Sequence, residues 1–96
     1  MTDITNIYKK GFSKIENIQS QEVVFYNLSG MKCDDIVVYG IELASQRDGK
    51  LTKLSIDNIS DSKMWVIDII TYLYENAIKP EISLGVIDDI INSTFL

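Results

Sequence analysis

The sequence contains no histidine and only one cysteine among its 96 residues. Without an imidazole, the usual general base of Ser-His-Asp and Cys-His catalysis is missing, and so is a common nitrogen ligand of zinc. The single cysteine, Cys33, excludes an intramolecular disulfide and a thiolate metal cluster. We therefore expect a protein that is not an enzyme and that needs no cofactor or metal.

Long hydrophobic runs are also missing. The longest stretch without a charged residue covers residues 23–31, far short of the ~20 residues that span a bilayer. Asp3 and the lack of a continuous apolar segment near the N-terminus argue against a secretory signal. These features predict a cytoplasmic protein without a membrane partner.

The net charge of −5 is distributed unevenly along the chain. Residues 1–56 contain equal numbers of basic and acidic side chains, whereas residues 57–96 contain two lysines and seven carboxylates. An acidic surface repels nucleic acid and acidic lipid, so we expect no direct nucleic-acid partner. The acidic C-terminal part either binds a basic partner or serves only to keep the protein in solution.

The N-terminal segment has the spacing of an amphipathic helix. Apolar residues recur at intervals of three and four across residues 4–18, which predicts a helix there. Gly11 interrupts the pattern at a cost of about 1 kcal/mol relative to alanine. We therefore expect residues 1–20 to form a helix that docks loosely on a single domain spanning residues 1–96.

The middle of the chain predicts a three-stranded antiparallel meander, with strands at about 22–28, 36–45 and 50–56. Asp48-Gly49 favours a type I′ hairpin turn between the last two strands. That turn pairs Leu43 with Leu54 and Ile41 with Ile56, so that apolar side chains share one face of the sheet. The predicted inner face consists of Tyr39, Ile41, Leu43, Leu54 and Ile56.

The C-terminal part predicts a helical hairpin that covers the sheet. The first helix should run over about 61–77 with Ser60 as its N-cap, and the second over about 80–93 from Pro80. The apolar residues expected to face the core in the second helix are Leu84, Ile87, Ile90 and Ile91. The predicted fold is α+β, with both helices on one face of the sheet.

Several short segments of this part of the sequence resemble a known family. They are Tyr39-Gly40-Ile41-Glu42, the Asp48-Gly49 turn, Ile59-Ser60, Pro80 and Asp88-Asp89-Ile90. The segments are similar to those of small proteins from clostridia and related Firmicutes that are grouped as a domain of unknown function. The resemblance implies a source and a fold class, and it implies no activity.

The first predicted helix carries more apolar surface than one small sheet can cover. Its predicted core-facing stripe consists of Val66, Ile69, Ile70, Leu73 and Ala77. This stripe leaves out four large side chains, namely Trp65, Ile67, Tyr72 and Tyr74. Either the N-terminal helix packs on them or a partner does, and a homodimer is the commonest form of such a partner. Together with the neighbouring carboxylates they form the candidate interaction surface, whose acidic members are Asp68, Glu75, Asp88 and Asp89.

Two functions follow from these observations. The first is a small, non-enzymatic cytoplasmic module that binds another protein, or a second copy of itself, through the helical hairpin. The alternative is an inhibitor from a phage or mobile element that presents the acidic helical half to the basic groove of a bacterial nucleic-acid enzyme. Both agree with the lack of a catalytic constellation, although a charge of −5 is modest for a nucleic-acid mimic.

Overall fold

The computed structural model describes residues 2–12 and 21–94. Four strands form one antiparallel sheet in sequence order, and two helices pack on one of its faces. The elements are β1 (Thr2–Phe12), β2 (Glu22–Cys33), β3 (Ile36–Arg47), β4 (Lys50–Ser60), α1 (Lys63–Glu75) and α2 (Pro80–Thr94). The predicted α+β class and the two C-terminal helices are confirmed, whereas the three-stranded sheet is corrected to four strands.

The fourth strand is β1, which replaces the first part of the helix predicted over 4–18. The rest of that predicted helix, residues 13–18, lies outside the described residues. β1 pairs with β2, and a bulge at Ile7 adds one residue between the pairs Asn6–Asn27 and Tyr8–Tyr26. Ile7 and Tyr8 both pack against the core. Because a bulge shifts the two-residue alternation of a strand, the apolar spacing of β1 imitates that of a helix.

The predicted hairpin between β3 and β4 is confirmed in its turn and in its register. Asp48 and Gly49 have φ values of 52° and 76°, as a type I′ turn requires. Leu43 pairs with Leu54 and Ile41 pairs with Ile56. Ile41 and Leu43 are each 1% exposed, so the predicted inner face is the one that meets the core.

β4 continues to Ser60, beyond its predicted end at Ile56. A bulge makes this possible, because Tyr39 pairs with Ser60 while Ile41 pairs with Ile56. The bulged segment passes so close to Gly40 that a Cβ atom there would clash with the Ile56 carbonyl oxygen and lie 2.8 Å from Ser29 Oγ. Gly40 is therefore required by close backbone approach.

The longer strand moves the start of α1. Its N-cap is Ser62, whose hydroxyl accepts a hydrogen bond from the Trp65 backbone N–H at 3.3 Å. The predicted cap, Ser60, instead accepts a bond from the Ser62 N–H at 3.0 Å within the connection. The helix ends at Glu75, before the predicted residue 77, since Ala77 adopts a left-handed φ of 52°.

One apolar core lies between the sheet and the helices. Its most buried members are Val24, Tyr26, Leu28, Ile41, Leu43, Val66, Ile69, Ile70, Leu73 and Ile87. In α2 the predicted core face is wrong at Leu84, which is 49% exposed, whereas Ser83 is fully buried. The Ser83 hydroxyl donates to the Pro80 carbonyl at 2.8 Å, and this local bond makes its burial inexpensive. Neither helix described here is long and apolar enough to cross a membrane.

Candidate functional site

The outer surface of the helices carries a concentration of negative charge. We call α1 and α2 together the helical layer. It contains five exposed carboxylates and one basic side chain, Lys63, which gives a net charge of 1 − 5 = −4. The carboxylates are Asp68, Glu75, Glu81, Asp88 and Asp89. Within the described part of the chain none of them forms an ion pair, because the one pair found there joins Glu22 and Lys79.

A groove of about 370 Å³ separates the two helices on this side. Tyr72 of α1 lines one wall, and Asp89, Ile90 and Ser93 of α2 line the other. The Tyr72 side chain is 48% exposed, so much of its ring can still be covered by a partner. The groove thus brings together Tyr72 and Asp89, which the sequence predicts as surface residues. It also contains Ile90 and Ser93, which the sequence does not predict as part of that surface.

Two further predicted residues flank the groove on α1. Asp68 precedes Tyr72 by four residues and Glu75 follows it by three, so both lie next to Tyr72 on the helix surface. Both are exposed. Asp88 is exposed as well, but adjacent helical residues point about 100° apart, which turns it away from the Asp89 side. The groove is therefore lined by the Tyr72 ring, Ile90 and the Asp89 carboxylate, and Asp68 and Glu75 lie next to Tyr72 on α1.

The remaining predicted residues face the interior. Trp65, Ile67 and Tyr74 are half-buried and pack against the core. Specific contacts enclose Tyr74, since Tyr8 of β1 stacks on its ring at 4.3 Å and 13°. The Tyr26 ring meets it edge-on at 5.8 Å. Tyr74 is therefore covered by the chain itself and contributes little to an outer surface.

β1 also holds this side of α1 through polar contacts. Lys10 Nζ donates to the Tyr74 carbonyl oxygen at 2.6 Å and lies 4.4 Å from the centre of the Tyr74 ring. The hydroxyls of Tyr8 and Thr71 are hydrogen-bonded at 3.0 Å. β1 thus occupies one flank of α1, and the groove lies on the opposite flank, beside α2.

A buried ion pair fixes the connection between the helices. Lys79 Nζ lies 3.1 Å from Glu22 Oε1, and the Glu22 side chain is 1% exposed. Ser45 donates its hydroxyl to the other carboxylate oxygen. Burial acts to raise the pKa of Glu22, but the Ser45 bond and the Lys79 and Arg47 charges outweigh it and hold that pKa below its ordinary value. Glu22 is therefore charged at neutral pH.

A second contact anchors the same connection. The Tyr26 hydroxyl donates to the Ile78 carbonyl oxygen at 2.9 Å. Burial, and then the negative charge of Glu22 and the neighbouring Tyr74, raise the pKa of Tyr26 to about 12. Glu22 and Tyr26 of β2 thus hold positions 79 and 78 of the connection between the helices. The sheet therefore sets the angle between α1 and α2, and with it the shape of the groove.

Another cavity, of about 180 Å³, lies between the β3–β4 turn and the start of α2. Its charged lining consists of Arg47 and Lys50 on one hand and Asp48 and Glu81 on the other. These charges balance, so the cavity favours no ligand of one sign. Among the residues that the structure describes, no three cysteine or carboxylate side chains are grouped so as to hold a metal ion.

Comparison with known proteins yields one match. A family model described as a family of unknown function (DUF6514) matches residues 8–93. This range contains β2, β3, β4 and α1 completely, all of α2 except its last residue, and β1 from Tyr8 onward. The predicted resemblance to a family of unknown function is confirmed. Among curated proteins and solved structures no match is found.

Proposed function

The chain belongs to the family of unknown function DUF6514, and we propose that it is a non-enzymatic cytoplasmic module that binds a basic segment of another protein through its helical layer. The observation that carries the proposal is the groove beside Tyr72, which combines a half-exposed aromatic ring with neighbouring carboxylates that form no ion pair among the residues that the structure describes. Tyrosine is enriched among the residues that dominate binding energy at protein interfaces.

Electrostatics supports a basic partner. Each exposed ion pair contributes only about 0.2–1 kcal/mol, so the carboxylates alone would not hold a partner tightly. Together they steer a positively charged surface toward the groove and raise its association rate. Affinity would come from covering Tyr72 and Ile90 with an apolar side chain of the partner, at about 25 cal/mol for each Å² of apolar surface removed from water.

The inhibitor of a nucleic-acid enzyme is the weaker candidate. α2 has fifteen residues and is therefore about 22 Å long. Duplex DNA of that length carries about 13 phosphate charges, whereas the whole helical layer has a net charge of −4. A charge density this much lower favours an ordinary basic protein segment over a site shaped for DNA.

Self-association through the helical layer is also disfavoured. Two copies facing each other there would bring together two surfaces of charge −4, and their mutual repulsion opposes docking. A basic partner would instead be attracted to this surface. We therefore assign the helical layer to a different protein and not to a second copy of the chain.

The test compares two variants with the same change in net charge. The immobilised protein is exposed to lysate of the source organism, and bound proteins are identified by mass spectrometry. Asp68→Lys/Asp89→Lys should lose a basic protein that the wild type retains, because Asp89 lines the groove and Asp68 lies one helical turn from Tyr72. Asp3→Lys/Asp35→Lys alters exposed carboxylates of β1 and of the β2–β3 turn, away from the helices, and should retain it. Equal retention by both variants, or the absence of any such basic protein, would overturn the proposal.

A further inference from the structure

The sheet face turned away from the helices carries exposed apolar side chains. Val24, Tyr26 and Leu28 of β2 point toward the helices, and side chains alternate along a strand. The residues between them, and their partners in register, therefore point the other way and form what we call the open face. Its apolar members include Ile4, Val23, Phe25, Ile36, Val38 and Leu51.

Three of these side chains remain largely in contact with solvent. Leu51 is 59% exposed, Ile36 is 53% exposed and Ile4 is 46% exposed. Large aliphatic side chains of this kind cost free energy when they are left in water. They lie toward both ends of the open face, since Ile36 and Ile4 are near the β2–β3 turn and Leu51 is near the β3–β4 turn.

Between the apolar ends runs a row of polar side chains that satisfy one another. Asn6 Nδ2 donates to Asn27 Oδ1 at 2.8 Å and to the Tyr8 carbonyl oxygen at 2.9 Å. Asn27 Nδ2 donates in turn to Glu42 Oε1 at 3.3 Å. Because these amide groups already have partners, covering the row does not leave them unsatisfied.

We propose that a second copy of the chain packs on the open face. Four strands at about 4.8 Å spacing and about 11 residues at about 3.4 Å each give a face of about 700 Å². Stable interfaces bury about 800 Å² on each partner, so this face is close to the size that a dimer needs. Face-to-face packing of two twisted sheets is a common arrangement.

Charge and strand edges favour this face over the alternatives. The charged side chains that the strand register places on it are Lys9, Lys53 and Glu42, which gives a net charge of 2 − 1 = +1, in contrast to −4 for the helical layer. Glu42 of one copy can pair with a lysine of the other. Edge-to-edge pairing is hindered because both edge strands contain a bulge, at Ile7 in β1 and at residues 57–59 in β4.

The experiment is sedimentation equilibrium of the purified full chain over a wide concentration range. The wild type should have twice the 10.9 kDa mass of the chain. Leu51→Glu and Ile36→Glu should each weaken the dimer by about a hundredfold or more, because a carboxylate without a partner would be buried. Met64→Glu and Ile82→Glu are matched controls, since these side chains are 66% and 58% exposed on the helices, and they should remain dimeric.

Circular dichroism of each variant shows whether it is folded, and because all four substitutions are at exposed sites we expect native spectra. Loss of the dimer in either sheet variant, with both helical controls dimeric, supports the proposal. A wild type that has the mass of one chain throughout overturns it. Unchanged dimers in both sheet variants, or loss of the dimer in the helical controls, would overturn it as well.

Discussion

Replacing Lys79 with methionine would leave the Glu22 carboxylate, which is 1% exposed, without the cation that lies 3.1 Å from it. Removing one partner of a fully buried ion pair typically costs about 3–5 kcal/mol. The Lys79 side chain is 31% exposed, and Glu22 would keep its hydrogen bond from Ser45. We therefore expect Lys79→Met to lower the free energy of unfolding by about 2–3 kcal/mol at neutral pH.

Replacing the other partner of the ion pair should lower the free energy of unfolding by less. Glu22→Gln leaves Lys79 with its ammonium group able to reach water, and the uncharged amide can still accept a bond from Ser45. The expected loss is about 1 kcal/mol. The asymmetry follows from burial alone, because the more buried partner is the one that suffers from losing its counter-charge.

The cost of Lys79→Met should also depend on pH. In the wild type the pKa of Glu22 is lowered, so its contribution to stability is present above the unfolded-state pKa and is lost as the pH falls through the folded-state pKa. Without Lys79, burial is opposed only by the Ser45 bond and the Arg47 charge, so the pKa of Glu22 is higher than in the wild type and protonation relieves the buried charge at a higher pH. The difference in stability between wild type and variant should therefore shrink on acidification.

The assay is urea unfolding followed by circular dichroism, at about pH 7 and about pH 4.5, the latter near the ordinary carboxyl pKa. Glu22→Gln is the control in which the acid-linked contribution is missing. A cost of Lys79→Met below about 0.5 kcal/mol, or a cost that is the same at both pH values, would show that Glu22 is not held in the charged state by Lys79.

Three further measurements test the fold. Gly40→Ala should lower stability by about 2–3 kcal/mol in thermal or urea unfolding, because the Cβ of the alanine would clash with the bulge of β4. Unchanged stability would mean that the bulge is placed wrongly. Ile87→Ala should lower the free energy of unfolding by about 2–5 kcal/mol and Leu84→Ala by under about 1 kcal/mol, since Ile87 is fully buried and Leu84 is 49% exposed. Equal losses would contradict the orientation of α2. In ultraviolet titration Tyr26 should ionise near pH 12. Because the phenol ionises at a lower pH in the unfolded chain, the free energy of unfolding should fall as the pH rises above about 10. A phenol of ordinary pKa at this position would contradict its burial.

Local chemistry made part of the fold predictable. The Asp48-Gly49 turn determines the pairing of its own strands, because a two-residue loop allows one register and the apolar residues of both strands then share a face. The pairs Leu43–Leu54 and Ile41–Ile56 follow from the sequence for that reason. The stripe of α1 is predictable on similar grounds, since its period involves only the helix itself.

The errors came from contacts between distant segments. β1 has a helical apolar spacing, and only its pairing with β2 and the bulge at Ile7 make it a strand. The bulge of β4 depends on the close approach of Gly40, which moves the cap of α1 from Ser60 to Ser62. Neither effect has a signal within its own segment, because each requires a partner far away in the sequence.

The negative charge of the helices is predictable from the sequence, whereas the shape of their outer surface is not. The excess of carboxylates in residues 57–96 is a property of composition, and five of them are exposed on the helices. Burial of Tyr74 depends on Tyr8, and the ion pair that fixes the groove joins Glu22 to Lys79. Residues that far apart in sequence are brought together only by the completed sheet.

The most direct test of the helical layer as the binding surface is amide chemical-shift mapping of the labelled chain as the partner retained from lysate is added. The groove predicts that the largest shift changes fall on Tyr72, Asp89, Ile90 and Ser93, and that they disappear for Asp68→Lys/Asp89→Lys. Changes confined to the sheet, with the helical signals unmoved, would contradict the account.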